Sequence, residues 1–288
     1  MCWSKYYLNW FIIYCYSVYS RFRYFFLLFS NYLEIAIILR CIKPHLSNDE
    51  VPILQKRVYF CLLCLCRYHA YYLLQTLLTD LQTVLTDSIL TMNVISKKYR
   101  LRCYDYLSLA LDASNSLHIS FLIQSLPEVI LCSKDPSRKV RAVCSHVLIQ
   151  YAEIMKASST SYTLPDGSQA VASLSQFIEI LTGIIAAQNP HMQAAALVSL
   201  AVIFSHFKTE DLRLIELNIL HITYSLIHED NREIATACLK YIRICCRLLN
   251  DEDLSAELPS IIQAVLVDIQ SNKNRCRAKV YLILLFDY

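Results

Sequence analysis

Residues 122–154 read LIQSLPEVILCSKDPSRKVRAVCSHVLIQYAEI, with apolar positions recurring on both sides of a polar break. Recurrence at i, i+3, i+4 and i+7 marks an amphipathic helix. The pattern therefore predicts a helix from Leu122 to Cys132 and a turn at 133–136. A second helix then opens with Arg138, Lys139, Val140 and Arg141. One helix–turn–helix unit cannot bury its apolar faces alone, so the rest of the chain should repeat it. Similar pairs are predicted around turns at 47–50, at Asn93, at 189–190, at Asp230 and at Asn272.

The intervals between these turns show a regular period. Asn48 to Asn93 is 45 residues, and the following steps, to Asp135, Asn189, Asp230 and Asn272, are 42, 54, 41 and 42. Four of the five fall in the range of HEAT or armadillo repeats, about 40–47 residues. The long step contains SSTSYTLPDGSQ at 158–169, a polar insert with turn chemistry at Pro165, Asp166 and Gly167. Without these 12 residues, 54 becomes 42. The expected fold is thus an all-α HEAT/armadillo-type α-solenoid, a superhelix of antiparallel helix pairs. Residues 34–288 should hold about six repeats, with an inserted loop at 158–169. Residues 1–33 are an atypical aromatic-rich stretch, read as core helices or as the edge of a fragment.

Composition narrows the classes. Only two glycines occur among 288 residues, and 56% of residues are hydrophobic. Tight β-turns and phosphate-cradling loops lean on glycine, which disfavours an all-β fold, a Rossmann site or a P-loop. Of the 13 cysteines, Cys61, Cys64 and Cys66 lie in CLLCLC inside an apolar helical run. Cys61 and Cys64 have CxxC spacing and His69 is near, yet no second CxxC occurs downstream. They read as small core hydrophobes, with no metal and no cofactor expected. An odd number of cysteines in a chain long enough for a core suggests a reducing compartment.

Membrane insertion is disfavoured but kept as an alternative for the N-terminal stretch. Residues 6–20 are uncharged but short, and Arg21, Arg23 and Glu34 interrupt the next apolar runs; a span needs about 20 apolar residues. Residues 180–207 carry no charged side chain, but Gln-Asn-Pro-His stands at their centre. They are expected to form two short core helices.

No catalytic motif is present. The histidines are scattered, and neither HExxH nor a paired-carboxylate motif occurs, so no enzyme activity is expected. What recurs is positive charge just after the turns. Lys56 and Arg57, then Lys97, Lys98, Arg100 and Arg102, then Arg138, Lys139 and Arg141, then Arg232, and finally Lys273, Arg275, Arg277 and Lys279 occupy this slot. In stacked repeats these positions would form a ridge suited to RNA phosphates. The competing structural reading pairs them with turn acids, Asp135 with Arg141 and Asp230 with Arg232. The fourth repeat has no Lys or Arg in the slot, which interrupts the ridge. The net charge of +3 does not decide between the readings.

The segments LQKRVYFCLLCLC, SKKYRLRCYDYLSLAL, LPEVILCSKDPSRKVRA, LIHEDNREIATACLKYIRI and LPSIIQAVLVDIQSNKNRCRAKVYLIL resemble the ribosomal RNA-processing protein 12 family. Their order and gaps match that family's C-terminal half over about residues 34–285. The resemblance implies a noncatalytic HEAT-repeat factor of the nucleus and nucleolus that binds pre-ribosomal RNA and pre-ribosomal particles. It also implies work in nuclear export with Ran and karyopherins. The family is longer, continuing after residue 280 into a basic helix where this chain ends LILLFDY, so a truncated chain is expected. A generic HEAT or armadillo adaptor, or a karyopherin-like transport factor that binds only protein, is the alternative.

Overall fold

The computed structural model describes residues 32–48, 50–89, 91–164, 166–187, 189–229 and 231–271. The expectations for residues 1–31, for Asp230, for Asn272 and for the second helix of the sixth repeat lie outside these residues. The architecture is all-α. Among the described residues there are eleven helices and one two-stranded sheet. The chain divides into two compact units, residues 1–112 and 113–288.

The first unit contains α1 (Tyr32–Leu46), α2 (Pro52–Thr76), α3 (Leu78–Asp87) and α4 (Val94–Ser108). The stretches expected to hold the first two repeats fall on these four helices. Helix α2 is the centre, packed on α1, α3 and α4. Cys61, Leu62, Leu63, Cys64, Leu65 and Cys66 are all buried on it, so the apolar run reflects a helix covered on several sides. No described cysteine is in a disulfide. Pro52 sits in the first turn, where its missing N–H costs nothing. Near the end of α2, His69 leaves helical geometry (φ −133°, ψ 25°) and kinks the helix.

One buried amide joins the two repeats. Gln55 of α2 is fully buried. Its Nε2 donates to the Leu46 carbonyl at 3.1 Å and the Thr91 carbonyl at 2.8 Å, and its Oε1 accepts from Asn93 N at 2.7 Å. The end of α1 and the turn before α4 are thereby held together by groups that would otherwise be desolvated without partners.

The second unit contains α5 (Ser116–Cys132), α6 (Arg138–Ala157), β1 (Ser161–Thr163), β2 (Gln169–Val171), α7 (Leu174–Ile185), α8 (Pro190–His206), α9 (Glu210–Leu226), α10 (Arg232–Leu248) and α11 (Asp251–Ser271). Helices α5 and α6, α7 and α8, and α9 and α10 form pairs. Each pair then packs on the next: α8 on α5 and α6, α10 on α8, α11 on α9 and α10. This is repeat packing, in which a pair completes its core only against its neighbour. The charge-free stretch 180–207 is accounted for by α7 and α8. Ala194, Ala195, Ala196, Leu197 and Leu200 of α8 are all buried, because helices cover it on several sides.

The period in the sequence has a definite physical origin. Asn93, Asn189 and Asn231 each N-cap the second helix of a pair. The Asn93 amide oxygen accepts from Ile95 N at 3.2 Å, that of Asn189 from His191 N at 2.9 Å, and that of Asn231 from Glu233 N at 2.9 Å. In the third repeat, the Asp135 carboxylate accepts from Ser137 N at 2.8 Å. These side chains satisfy main-chain donors that a helix start leaves open.

The insert at 158–169 differs from the loop expected of it. It forms most of a β-hairpin, with Ser161 opposite Val171, Tyr162 opposite Ala170 and Thr163 opposite Gln169. Gly167 takes a positive φ of 86° in the turn, and Asp166 Oδ1 accepts from Ser168 N at 2.9 Å. The hairpin is anchored: Tyr162 is buried, β1 packs on α5, and Ser158 and Thr160 hydroxyls both donate to the Ala113 carbonyl. Among the described residues, no helix is long and apolar enough to cross a membrane.

Candidate nucleic-acid interface

In the first unit the predicted cations separate by facing. Lys97 and Lys98 are half-buried, and Arg102 is exposed. Lys98 and Arg102 are four residues apart and so share one face of α4. Beside them, Lys56 Nζ lies 6.0 Å from the centroid of the Tyr99 ring, a cation over an aromatic face.

Arg100 does not belong to this surface, which corrects its place in the basic ridge. Its side chain is 1% exposed. The guanidinium donates to Ser88 Oγ at 2.7 Å, the Leu85 carbonyl at 2.5 Å, Tyr59 Oη at 3.1 Å and Tyr104 Oη at 3.4 Å. It also lies near the Tyr59 and Tyr104 ring faces, 6.0 and 5.9 Å from their centroids. Arg100 shares the inward stripe of α4 with Ser96, Cys103 and Leu107, all buried. A phosphate would have to displace these bonds to reach it.

In the second unit, Arg138 and Lys139 are exposed at the start of α6. Arg141 turns back. Its Nη1 donates to the Asp135 and Pro136 carbonyls at 2.7 and 2.9 Å. The expected link between Asp135 and Arg141 is thus made through the main chain, while the Asp135 carboxylate accepts from Ser137 N in the turn before the helix. In the fourth repeat the slot holds His191. Its Nδ1 is 2.7 Å from Lys134 Nζ and 2.7 Å from Glu233 Oε2, and Lys134 pairs with Glu233 Oε1 at 2.9 Å. This cluster links the third, fourth and fifth repeats and is structural. Arg232 is exposed at the start of α10. Lys273, Arg275, Arg277 and Lys279 lie outside the described residues.

Arg138 and Lys139 sit where helix electrostatics disfavours them. The first turns of α4 and α6 contain no acidic residue. Both starts carry the positive end of the helix dipole, so Arg138 and Lys139 add positive charge to it. Such an arrangement is stabilised by an anion, whose oxygens interact with both the side chains and the helix end.

One feature escaped the sequence reading. A groove of about 570 Å³ runs along α8 between α6 and α10. Its basic wall is Lys240, Arg243 and Arg247 of α10. The spacing i, i+3, i+7 was legible in CLKYIRICCR, but the apolar floor comes from other helices. A second, smaller cavity of about 190 Å³ adjoins Arg213, Glu216 and Asp253. Arg213 pairs with Asp253 through two bonds and holds its carboxyl below the usual range. Burial pushes the Glu216 carboxyl up, against a bond with Cys245 that lowers it. Among the described residues, no group of His, Cys, Asp or Glu side chains is placed to hold a metal ion.

No family model matches the chain. Three curated proteins are similar to it. Ribosomal RNA-processing protein 12 of Saccharomyces cerevisiae is 23% identical over 221 residues, covering 72% of this chain and 17% of its own length. RRP12-like protein of Gallus gallus is 24% identical over 245 residues, covering 82% of this chain and 18% of its own. A ribosomal RNA-processing protein 12 of Schizosaccharomyces pombe is 23% identical over 175 residues, covering 59% of this chain and 15% of its own. The chain therefore spans less than a fifth of the length of these relatives. Among solved structures, a designed armadillo repeat protein is 13% identical with a TM-score of 0.38, covering 85% of this chain and 96% of its own. Across its helical repeats the chain resembles the ribosomal RNA-processing protein 12 family.

Proposed function

We propose that the chain is a noncatalytic helical-repeat scaffold in ribosome biogenesis, contacting pre-ribosomal RNA within pre-ribosomal particles. The observation that carries the RNA contact is the set of exposed cations Arg102, Arg138 and Lys139, two of them on a helix start that already bears positive potential. Phosphate oxygens offset that local repulsion, and release of their counterions supplies affinity. Lys98 shares the Arg102 face of α4, Lys97 precedes it in the first turn, and Arg141 helps to fix the turn that presents Arg138 and Lys139. The similarity to ribosomal RNA-processing protein 12 supports rRNA processing and pre-ribosome maturation as the setting. The same resemblance extends the proposal to the nucleus and nucleolus, and to nuclear export together with Ran and karyopherins.

Sucrose-gradient sedimentation of the tagged full chain from cell extract tests this. The chain is expected in fractions with pre-ribosomal particles at low salt. The Arg102→Ala/Arg138→Ala/Lys139→Ala variant should shift toward light fractions. Sedimentation of both proteins only as free chains contradicts the ribosomal reading. Equal retention of both on the particles contradicts the cationic contact.

A further inference from the structure

The groove along α8 has a chemistry different from that of the two cationic helix starts. Its floor is apolar. Val198 and Val202 of α8, Ile149 of α6 and Ile244 of α10 are half-buried and line it. Three successive second helices therefore contribute to one surface. On α8 the lining positions Val198, Ala201, Val202 and Ser205 follow the i, i+3, i+4, i+7 pattern of a single helical face. They span about 10 Å, two helical turns at about 1.5 Å per residue.

The walls are unequal in charge. On α10, Lys240, Arg243 and Arg247 line the groove, with no acidic residue between Lys240 and Arg247. The α6 wall carries Glu153, which meets His206 at 3.1 Å at the groove's edge. A ligand seated here needs an apolar face for the floor and negative charge along one flank only. An amphipathic helix with acidic residues beside its apolar stripe satisfies both demands, by the helix-in-groove mode. The floor is aliphatic, and the one aromatic ring in the lining, His206, stands at the edge beside Glu153, which favours a protein helix over single-stranded RNA.

We propose that this groove is a docking site for an acidic amphipathic helix of a partner protein, its apolar stripe on α8 and its carboxylates against Arg243 and Arg247. The residues that line the groove do not include Arg102, Arg138 or Lys139, so the peptide and RNA readings rest on different side chains.

Selection of a random 16-residue peptide library displayed on phage against the full chain tests it, with counter-selection on Arg243→Glu/Arg247→Glu. The expected consensus has Leu, Ile or Phe at helical spacing and Asp or Glu on one flank. A synthetic peptide of that consensus should bind the charge-reversed variant about tenfold more weakly by fluorescence anisotropy. Circular dichroism of the variant should match the parent, since Arg247 is exposed and Arg243 half-buried. Val198→Gln, on the floor, should weaken the peptide without touching the charges. A basic consensus, no consensus, or peptides indifferent to both variants overturns the proposal. Displacement of the peptide by a single-stranded RNA oligomer also overturns it, by making the groove a nucleic-acid site. Arg102→Ala/Arg138→Ala/Lys139→Ala should leave peptide binding unchanged, so the peptide and RNA readings fail independently.

Discussion

Replacing Arg100 should behave unlike replacing Arg102, although the two stand two residues apart in one basic cluster. Arg100→Ala removes a buried guanidinium from Leu85 O, Ser88 Oγ, Tyr59 Oη and Tyr104 Oη. Ser88 retains its bond to the Val84 carbonyl at 2.7 Å. The Leu85 carbonyl loses its 2.5 Å bond and keeps only the 3.4 Å one from Ser88 Oγ, and the guanidinium leaves a void. A buried polar group left unsatisfied costs about 1–3 kcal/mol. With the void added, the expected loss is about 3–5 kcal/mol. Arg102→Ala, on an exposed side chain, should stay within about 0.5 kcal/mol. Urea unfolding of the full chain, followed by far-ultraviolet circular dichroism, separates them. With a slope of about 1–3 kcal/mol per molar, Arg100→Ala should lower the midpoint by at least about 1 M. Equal midpoints for the two variants, with equal losses of RNA affinity, would refute the assignment of Arg100 to the core.

Other substitutions test other links. Asn189→Ala removes the cap on His191 N and should cost about 1 kcal/mol of stability, whereas Asn189→Ser should cost less; thermal unfolding ranks the two. Gly167→Ala places a side chain at a φ of +86° and should destabilise by about 1 kcal/mol through backbone strain, since the space around that position is open. Glu216 gives a pH dependence. Its folded-state pKa lies above the unfolded value, so the folded state binds more protons between the two, and stability falls as pH rises through that window. Glu216→Gln should therefore raise the melting temperature near neutral pH. The gain should vanish below the unfolded carboxyl pKa, where both side chains are neutral. An equal shift at every pH would show that the carboxylate charge is irrelevant there.

Helix pairs were legible because two signals coincided. Apolar spacing located the helices, and Asn93 and Asn189, as N-caps, punctuated them. Arg100 is misplaced when charge is weighed ahead of helical phase. It stands four residues after Ser96 and three before Cys103, on the stripe that faces inward. The hairpin was not legible as strands because three-residue strands are too short to show alternation; only its Asp166-Gly167 turn showed. Likewise, the groove could not be read locally. The cations on α10 are visible in sequence, but Ile149 and Val202 reach the same surface only through packing of α6, α8 and α10.

The salt dependence of the full chain's affinity for a structured ribosomal RNA fragment tests the central claim most directly. Parent and Arg102→Ala/Arg138→Ala/Lys139→Ala proteins would be compared from low to moderate salt. The account predicts a steep loss of parent affinity with salt, and a slope shallower by about 2–3 in the variant, close to one for each phosphate no longer neutralised. Identical slopes and affinities for the two proteins would contradict it, and would leave these cations as solvated surface rather than an RNA interface.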